Sequence, residues 1–86
     1  MTIKFSKKFN KQLGKLTVSQ QDKFWSRLEL WQEDPANSLL RVHRLRGKLA
    51  NYYSINITGD IRALYEVIDD ELYLYDLIGT HSQLYG

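Results

Sequence analysis

Two histidines, His43 and His81, together with Asp60 and Arg62, are the residues whose types and spacing point to chemistry on a phosphodiester. Attack of a 2′-hydroxyl on phosphorus needs a proton taken away, and departure of the 5′-oxygen needs one delivered. Imidazole serves either step near neutral pH, and a carboxylate such as Asp60 is a second acceptor. A guanidinium offsets the charge that builds on the phosphoryl oxygens. Neither step calls for a metal or an organic cofactor, so none is expected. Tyr52, Tyr53, Tyr75 and Tyr85 are the aromatic side chains available to stack on bases. Each residue also has a plainer use. His81 fits a surface position at a strand end, and Asp60 after Gly59 fits a turn. Arg62 fits a cross-strand pair with Glu66 or Asp60, and the tyrosines fit half-buried sheet positions.

The charge distribution bears on the partner. The net charge is only +2, but Lys4, Lys7, Lys8, Lys11 and Lys15 fall in a stretch without acids. Arg41, Arg44, Arg46 and Lys48 form a second such stretch, whereas Glu66, Asp69, Asp70, Glu71 and Asp76 are grouped without bases. The asymmetry fits a polyanion, with Arg41, Arg44, Arg46 and Lys48 as the phosphate-contacting residues. The absence of cysteine excludes disulfides, zinc–thiolate sites and thiol catalysis. Neither a membrane span nor a signal peptide is legible, so a cytoplasmic location is the expectation.

These side chains need elements to hold them. A chain of 86 residues supports one domain, residues 1–86, around one core. Ile3-Lys4-Phe5 reads as a short strand. Ser6 reads as an N-cap, with Phe9, Leu13 and Leu16 on one helical face. Ser19 is read as the cap of a second helix carrying Phe24, Leu28 and Trp31, with Trp25 and Leu30 broadening its stripe. Both tryptophans are expected in the core. Pro35 marks a break. Residues 51–57, 60–68 and 71–78 then read as strands, with turns at Thr58-Gly59 and Asp69-Asp70. The fold class is α+β, an N-terminal helical hairpin packed on an antiparallel sheet.

A two-residue turn at Asp69-Asp70 sets Arg62 opposite Leu77. Asp60, Arg62 and Leu64 then share a face with Tyr75, Leu77 and Gly79, and two further residues of strand bring His81 onto it. The other face, with Ile61, Ala63, Tyr65, Leu72 and Leu74, is expected to meet the helices. Asp76 fits poorly in that apolar set.

His43-Arg44-Leu45-Arg46-Gly47, Tyr52, Gly59-Asp60-Ile61-Arg62-Ala63-Leu64-Tyr65 and Gly79-Thr80-His81-Ser82-Gln83-Leu84-Tyr85 together resemble the RelE/ParE toxin superfamily on its YafQ-like branch. The ending Gly-Thr-His-Ser-x-Leu-aromatic is the most specific piece. The resemblance implies a type II toxin–antitoxin toxin and ribosome-dependent mRNA interferase. It acts on mRNA in the ribosomal A site and is neutralised by a cognate antitoxin protein in a hetero-oligomer. It also implies catalytic roles for His43, Asp60, Arg62 and His81, and Tyr85 as the terminal aromatic. The family pattern carries an acid where this chain has Ser54 and a histidine where it has Asn56. Neither replacement transfers protons, so the resemblance leaves that work to His81, His43 and Asp60. Two alternatives share the fold: a ParE-type gyrase inhibitor without nuclease activity, and a catalytically weak module whose partner is its antitoxin.

Overall fold

Thr2–Phe5 forms β1, and the chain then turns straight into a helix. The Ser6 hydroxyl accepts the Phe9 N–H at 3.0 Å, which satisfies one of the free donors at the start of α1, Lys7–Gly14. Phe9 and Leu13, four residues apart, are its buried pair. The second helix, α2, spans Val18–Glu33. Its cap is Thr17 rather than Ser19, because Thr17 and Gln20 bond reciprocally, hydroxyl to N–H at 3.1 Å and amide oxygen to N–H at 3.0 Å. This arrangement satisfies two donors where a lone serine satisfies one. Phe24, Leu28 and Trp31 bury its inner face, and the helix stops just short of Asp34-Pro35. Trp25 departs from expectation: it remains 47% exposed at the rim, edge-on to Phe5 and Phe24.

The computed structural model describes residues 1–85, so Gly86, the last residue of the expected domain, lies outside the described residues. Four more strands follow the helices: β2 His43–Arg44, β3 Tyr53–Asn56, β4 Ile61–Val67 and β5 Leu72–Thr80. A short helix, α3, covers His81–Tyr85. The sheet order is β1-β5-β4-β3-β2. The expected meander is present as β3, β4 and β5. The sheet as a whole is mixed, not antiparallel, because β1 lies parallel to β5 with Ile3 opposite Tyr73. A strand that enters a helical hairpin before reaching the meander has room for that parallel crossover.

The register corrects the sequence reading twice. The Asp69 carboxylate accepts the N–H groups of Glu71 and Leu72 at 2.9 and 3.0 Å. This local bond lengthens the turn to Asp69, Asp70 and Glu71, and Ile68 donates to Leu72 rather than facing Glu71. Further on, Tyr65 opposes Tyr75 while Leu64 opposes Leu77, so Asp76 is the extra residue of a β-bulge. Arg62 therefore faces Gly79, not Leu77. The two shifts together restore the parity of the site end, and Leu77 and Gly79 keep their expected face. On the turn side of the bulge the faces are exchanged. Tyr75 is fully buried against the helices, with Tyr73 beside it, where Leu72 and Leu74 were expected.

Candidate active site

On the sheet face away from the helices, Ser54 and Leu64 form one cross-strand pair and Asn56 and Arg62 the next. Ser54 and Leu64 are fully buried although they alternate with the core residues Ile55, Ala63 and Tyr65. This second face is therefore covered as well. At its edge lies a cleft of about 370 Å³ lined by His43, Leu45, Arg46, Leu49, Arg62, His81 and Tyr85.

Residues 43–50 form one wall. His43 lies on β2 opposite Ser54, so it projects to the cleft side, while Arg44 lies opposite Tyr53. Leu45 and Tyr52 continue the ladder, with the Leu45 N–H donating to the Tyr52 carbonyl at 3.0 Å. The chain then reverses through a single 3-10 turn, Gly47–Leu49, entered by Gly47 at φ 66°. Only glycine adopts that left-handed value without steric cost. The His43 Nδ1 lies 2.8 Å from the Arg41 carbonyl oxygen. A carbonyl accepts and never donates, so Nδ1 carries the hydrogen and Nε2 is the nitrogen left for chemistry.

Arg62 forms the floor. Its Nη1 donates to the carbonyls of Thr58 and Ile61 at 2.9 and 3.2 Å, and Nη2 to that of Gly59 at 3.2 Å. A guanidinium has five N–H donors, so two remain for an anion. The group is thus both a clasp on the β3–β4 turn and a fixed positive charge. The Thr58 hydroxyl accepts the N–H groups of Asp60 and Ile61 and completes that turn.

The third wall is α3. His81 is not on an extended β5, as the sequence suggested, but is the first residue of this helix. The cause is local. The Thr80 hydroxyl accepts the Gln83 N–H at 3.2 Å, and the Gln83 amide oxygen accepts the Thr80 N–H at 2.8 Å. That capping box ends the strand and starts the helix. Tyr85, four residues after His81, falls on the same helical face, with the two ring centroids 4.5 Å apart and tilted by 60°.

Of the residues singled out from sequence, the cleft gathers His43, Arg46, Arg62, His81 and Tyr85. Asp60, Arg41, Arg44 and Lys48 are exposed and do not line it. Asp60 sits on the β3–β4 turn. Arg44 donates to the Ala50 carbonyl at 2.9 Å and lies over the Tyr53 ring, 5.6 Å from its centroid. Tyr53 in turn stacks on Tyr65 at 13°, on the helix side of the sheet. Leu45 and Leu49, the apolar part of the lining, went unassigned from sequence. Their alternation with basic residues in His43-Arg44-Leu45-Arg46-Gly47-Lys48-Leu49 is the signal that one side of this segment is apolar.

The chain matches, over residues 1–86, the family described as a bacterial toxin of type II toxin–antitoxin system, YafQ. It belongs to the YafQ toxin family. Its fold agrees. It superposes on the crystal structure of YafQ from E. coli strain BL21(DE3) with a TM-score of 0.79 at 21% identity, covering 98% of this chain and 97% of that one. A YoeB/ParE toxin from Agrobacterium tumefaciens gives 0.76 at 18% identity, with 94% and 99% covered. The RelB–RelE antitoxin–toxin complex from Methanococcus jannaschii gives 0.73 at 22% identity, with 95% and 94% covered. No curated protein sequence matches the chain. Among the described residues, no helix is long and apolar enough to cross a membrane.

Proposed function

We propose that this YafQ-family toxin is a ribosome-dependent mRNA endoribonuclease that cuts by acid–base chemistry without a metal. The observation that carries the reading is the convergence of two imidazoles, two guanidinium groups and a phenol on one cleft. Among the described residues, no three His, Asp or Glu side chains gather as a metal-ligand set.

His43 Nε2 accepts the 2′-hydroxyl proton as the oxygen attacks phosphorus. The two free donors of Arg62, with Arg46 nearby, take up the charge on the phosphoryl oxygens. His81 delivers a proton to the leaving 5′-oxygen, and Tyr85 offers its ring to a base of the cut codon. The products are a 2′,3′-cyclic phosphate (or a 3′-phosphate after opening) and a 5′-hydroxyl. His43 is favoured over Asp60 as the base because it lines the cleft and Asp60 does not. Arg41 and Lys48 remain on the exposed basic surface, where rRNA phosphates are their expected contacts, whereas Arg44 is engaged with Ala50 and Tyr53.

Ribosomes and mRNA place the working protein in the cytoplasm. The cognate partner is an antitoxin, as in the solved DinJ–YafQ and RelB–RelE complexes. A segment that neutralises this site is acidic or covers His81–Tyr85. The test is to add the purified protein to a translating extract and map the RNA ends. Cyclic phosphate and 5′-hydroxyl ends within codons are expected, unchanged when EDTA treatment of the isolated cleavage step is controlled for ribosomal magnesium. Uncut RNA together with inhibited DNA supercoiling by gyrase overturns the reading in favour of a ParE-type activity.

A further inference from the structure

Arg41 is the one non-glycine with a positive φ among the described residues, at 46°. The neighbouring ladder explains that conformation. The Leu40 carbonyl accepts the Asn56 N–H at 2.7 Å, and His43 pairs with Ser54. Three steps of chain on one side thus match two on the other, which is a β-bulge with its kink at Arg41. Leu40 is fully buried on one side of the kink, and Val42 packs on the core on the other, so the extra residue is pushed outward between them. The same kink swings the Arg41 carbonyl onto the His43 ring, 2.8 Å from Nδ1.

We infer that Arg41 is a positioning residue for His43: its left-handed backbone presents the carbonyl that holds the hydrogen on Nδ1 and leaves Nε2 bare toward the cleft. The inference rests on the reading of His43 as the base. An imidazole free in water exchanges between two tautomers, and only the one with bare Nε2 takes a proton from a 2′-hydroxyl on the cleft side. A main-chain acceptor selects that tautomer without adding a charge to the site. The role belongs to the backbone of Arg41 and is separate from any contact of its guanidinium with phosphate.

Two variants separate these contributions. Arg41→Gly and Arg41→Val both lose the guanidinium. Glycine keeps the left-handed conformation at no steric cost, whereas a β-branched valine opposes it. In 15N-labelled full-length protein held at about pH 9, where a free imidazole is neutral, ring spectra report which nitrogen of His43 carries hydrogen. The parent and Arg41→Gly are expected to show hydrogen on Nδ1, and Arg41→Val a mixture. Single-turnover cleavage by Arg41→Val is expected to be slower than by Arg41→Gly, by about tenfold. Any loss common to both variants measures the lost charge. Hydrogen on Nε2 in the parent, or the same tautomer in all three proteins, overturns the inference. A tautomer change in Arg41→Val with cleavage equal to Arg41→Gly leaves Arg41 as the positioning residue and instead removes His43 from the proton transfer. Unchanged Trp31 and Ala63 signals confirm that the valine variant is folded.

Discussion

The Tyr52 hydroxyl donates to the Asp76 carboxylate across the width of β4, joining the chain at the entrance to β3 to the bulge of β5. The bond explains why an acid sits in an otherwise apolar strand. Asp76 is the bulged residue, so it reaches a partner that a regular position would deny it. Burial is the largest influence on Tyr52, and with the Asp76 hydrogen bond and the charges of Asp76 and Glu66 it pushes the phenol up to about 12. Burial by itself would raise Asp76 too. The Tyr52 and Ser6 hydroxyls and the nearby Lys8 outweigh it and hold the carboxyl below its ordinary value.

This pair gives the stability a defined pH window. The depressed Asp76 contributes above the unfolded aspartate value near 4, and that contribution is lost as pH falls through the folded value. The raised Tyr52 contributes fully below about 10, and its part is lost as pH rises toward 12. Tyr52→Phe is expected to cost about 1 kcal/mol near neutral pH, the scale of a partly exposed bond to a charge. Urea titrations across pH are expected to show that difference shrinking at both ends. A difference constant from pH 3 to pH 11 contradicts the linkage.

The core contains the opposite case. The Tyr75 hydroxyl is buried among Phe5, Phe9, Phe24, Trp31 and Tyr65, with no hydrogen-bond partner among the described residues. Burial raises its phenol far above the ordinary value. Removing an unsatisfied hydroxyl removes a desolvation penalty without breaking a bond. Tyr75→Phe is expected to be neutral or more stable by up to about 1 kcal/mol, measured by thermal unfolding. Destabilisation beyond 1 kcal/mol would show that the hydroxyl has a partner after all.

The helical hairpin was legible because Phe9/Leu13 and Phe24/Leu28/Trp31 repeat at helical spacing and nothing tertiary is needed to read them. The strands were legible from alternation and turn residues. The register near the site was not, because two local features set it. The Asp69 side chain lengthens one turn, and the Asp76 bulge moves the pairing again. Neither changes the hydrophobic pattern enough to be seen in it. His81 and Arg62 share the cleft by a route other than the extended strand: the two slips return Gly79 to the face of Arg62, and α3 carries His81 to the cleft. The capping box Thr80–Gln83 is a helix start in the sequence, but the strand pattern before it runs into His81 without a break. Asp60, Arg44 and Lys48 have suitable chemistry, but which way each one points depends on β2 and the β3–β4 turn. A two-residue edge strand has almost no sequence signature.

The basic segment therefore splits into different duties. Arg46 lines the cleft, whereas Arg44 is committed to Ala50 and Tyr53. Arg46→Ala is expected to flatten the salt dependence of ribosome binding by roughly 0.7–0.9 of a unit of slope, by analogy with one phosphate on simple nucleic acids. Arg44→Ala is expected to lower the unfolding midpoint and to change the slope less. Binding constants of the two variants measured from low to physiological salt check this. Equal slopes would return Arg44 to the phosphate-contacting set.

Gly79 carries a hidden requirement of the site. A Cβ there would lie 2.7 Å from the Gln83 Oε1, the atom that accepts the Thr80 N–H. Gly79→Ala forces Gln83 aside and opens the capping box, at a cost of about 1 kcal/mol. Since His81 directly follows Thr80, the expected result is a loss of cleavage greater than the loss of stability. Cleavage that falls only in proportion to the unfolded fraction would show that α3 tolerates the displacement.

The sharpest expectation concerns His81 itself. It begins α3, exposed and in ring contact with Tyr85, and it shares the cleft with Arg62 and His43. An exposed imidazole at the end of a capped strand holds little of the fold together, so His81→Ala is expected to leave unfolding and ribosome binding nearly unchanged. If it supplies the proton to the 5′-oxygen, its loss removes general acid catalysis, worth about 10²–10⁴-fold in single-turnover cleavage. The loss is to be specific to a poor leaving group. A substrate whose leaving group departs without protonation, such as a 5′-phosphorothiolate with sulfur in place of the 5′-oxygen, is expected to recover most of the rate with His81→Ala but not with Arg62→Ala, because the arginine acts on the phosphoryl oxygens. Tyr85→Phe keeps the ring contact and is expected to stay close to the parent, whereas Tyr85→Ala loses both the contact and the stacking surface. A His81→Ala protein that cleaves on ribosomes as fast as the parent removes His81 from the reaction.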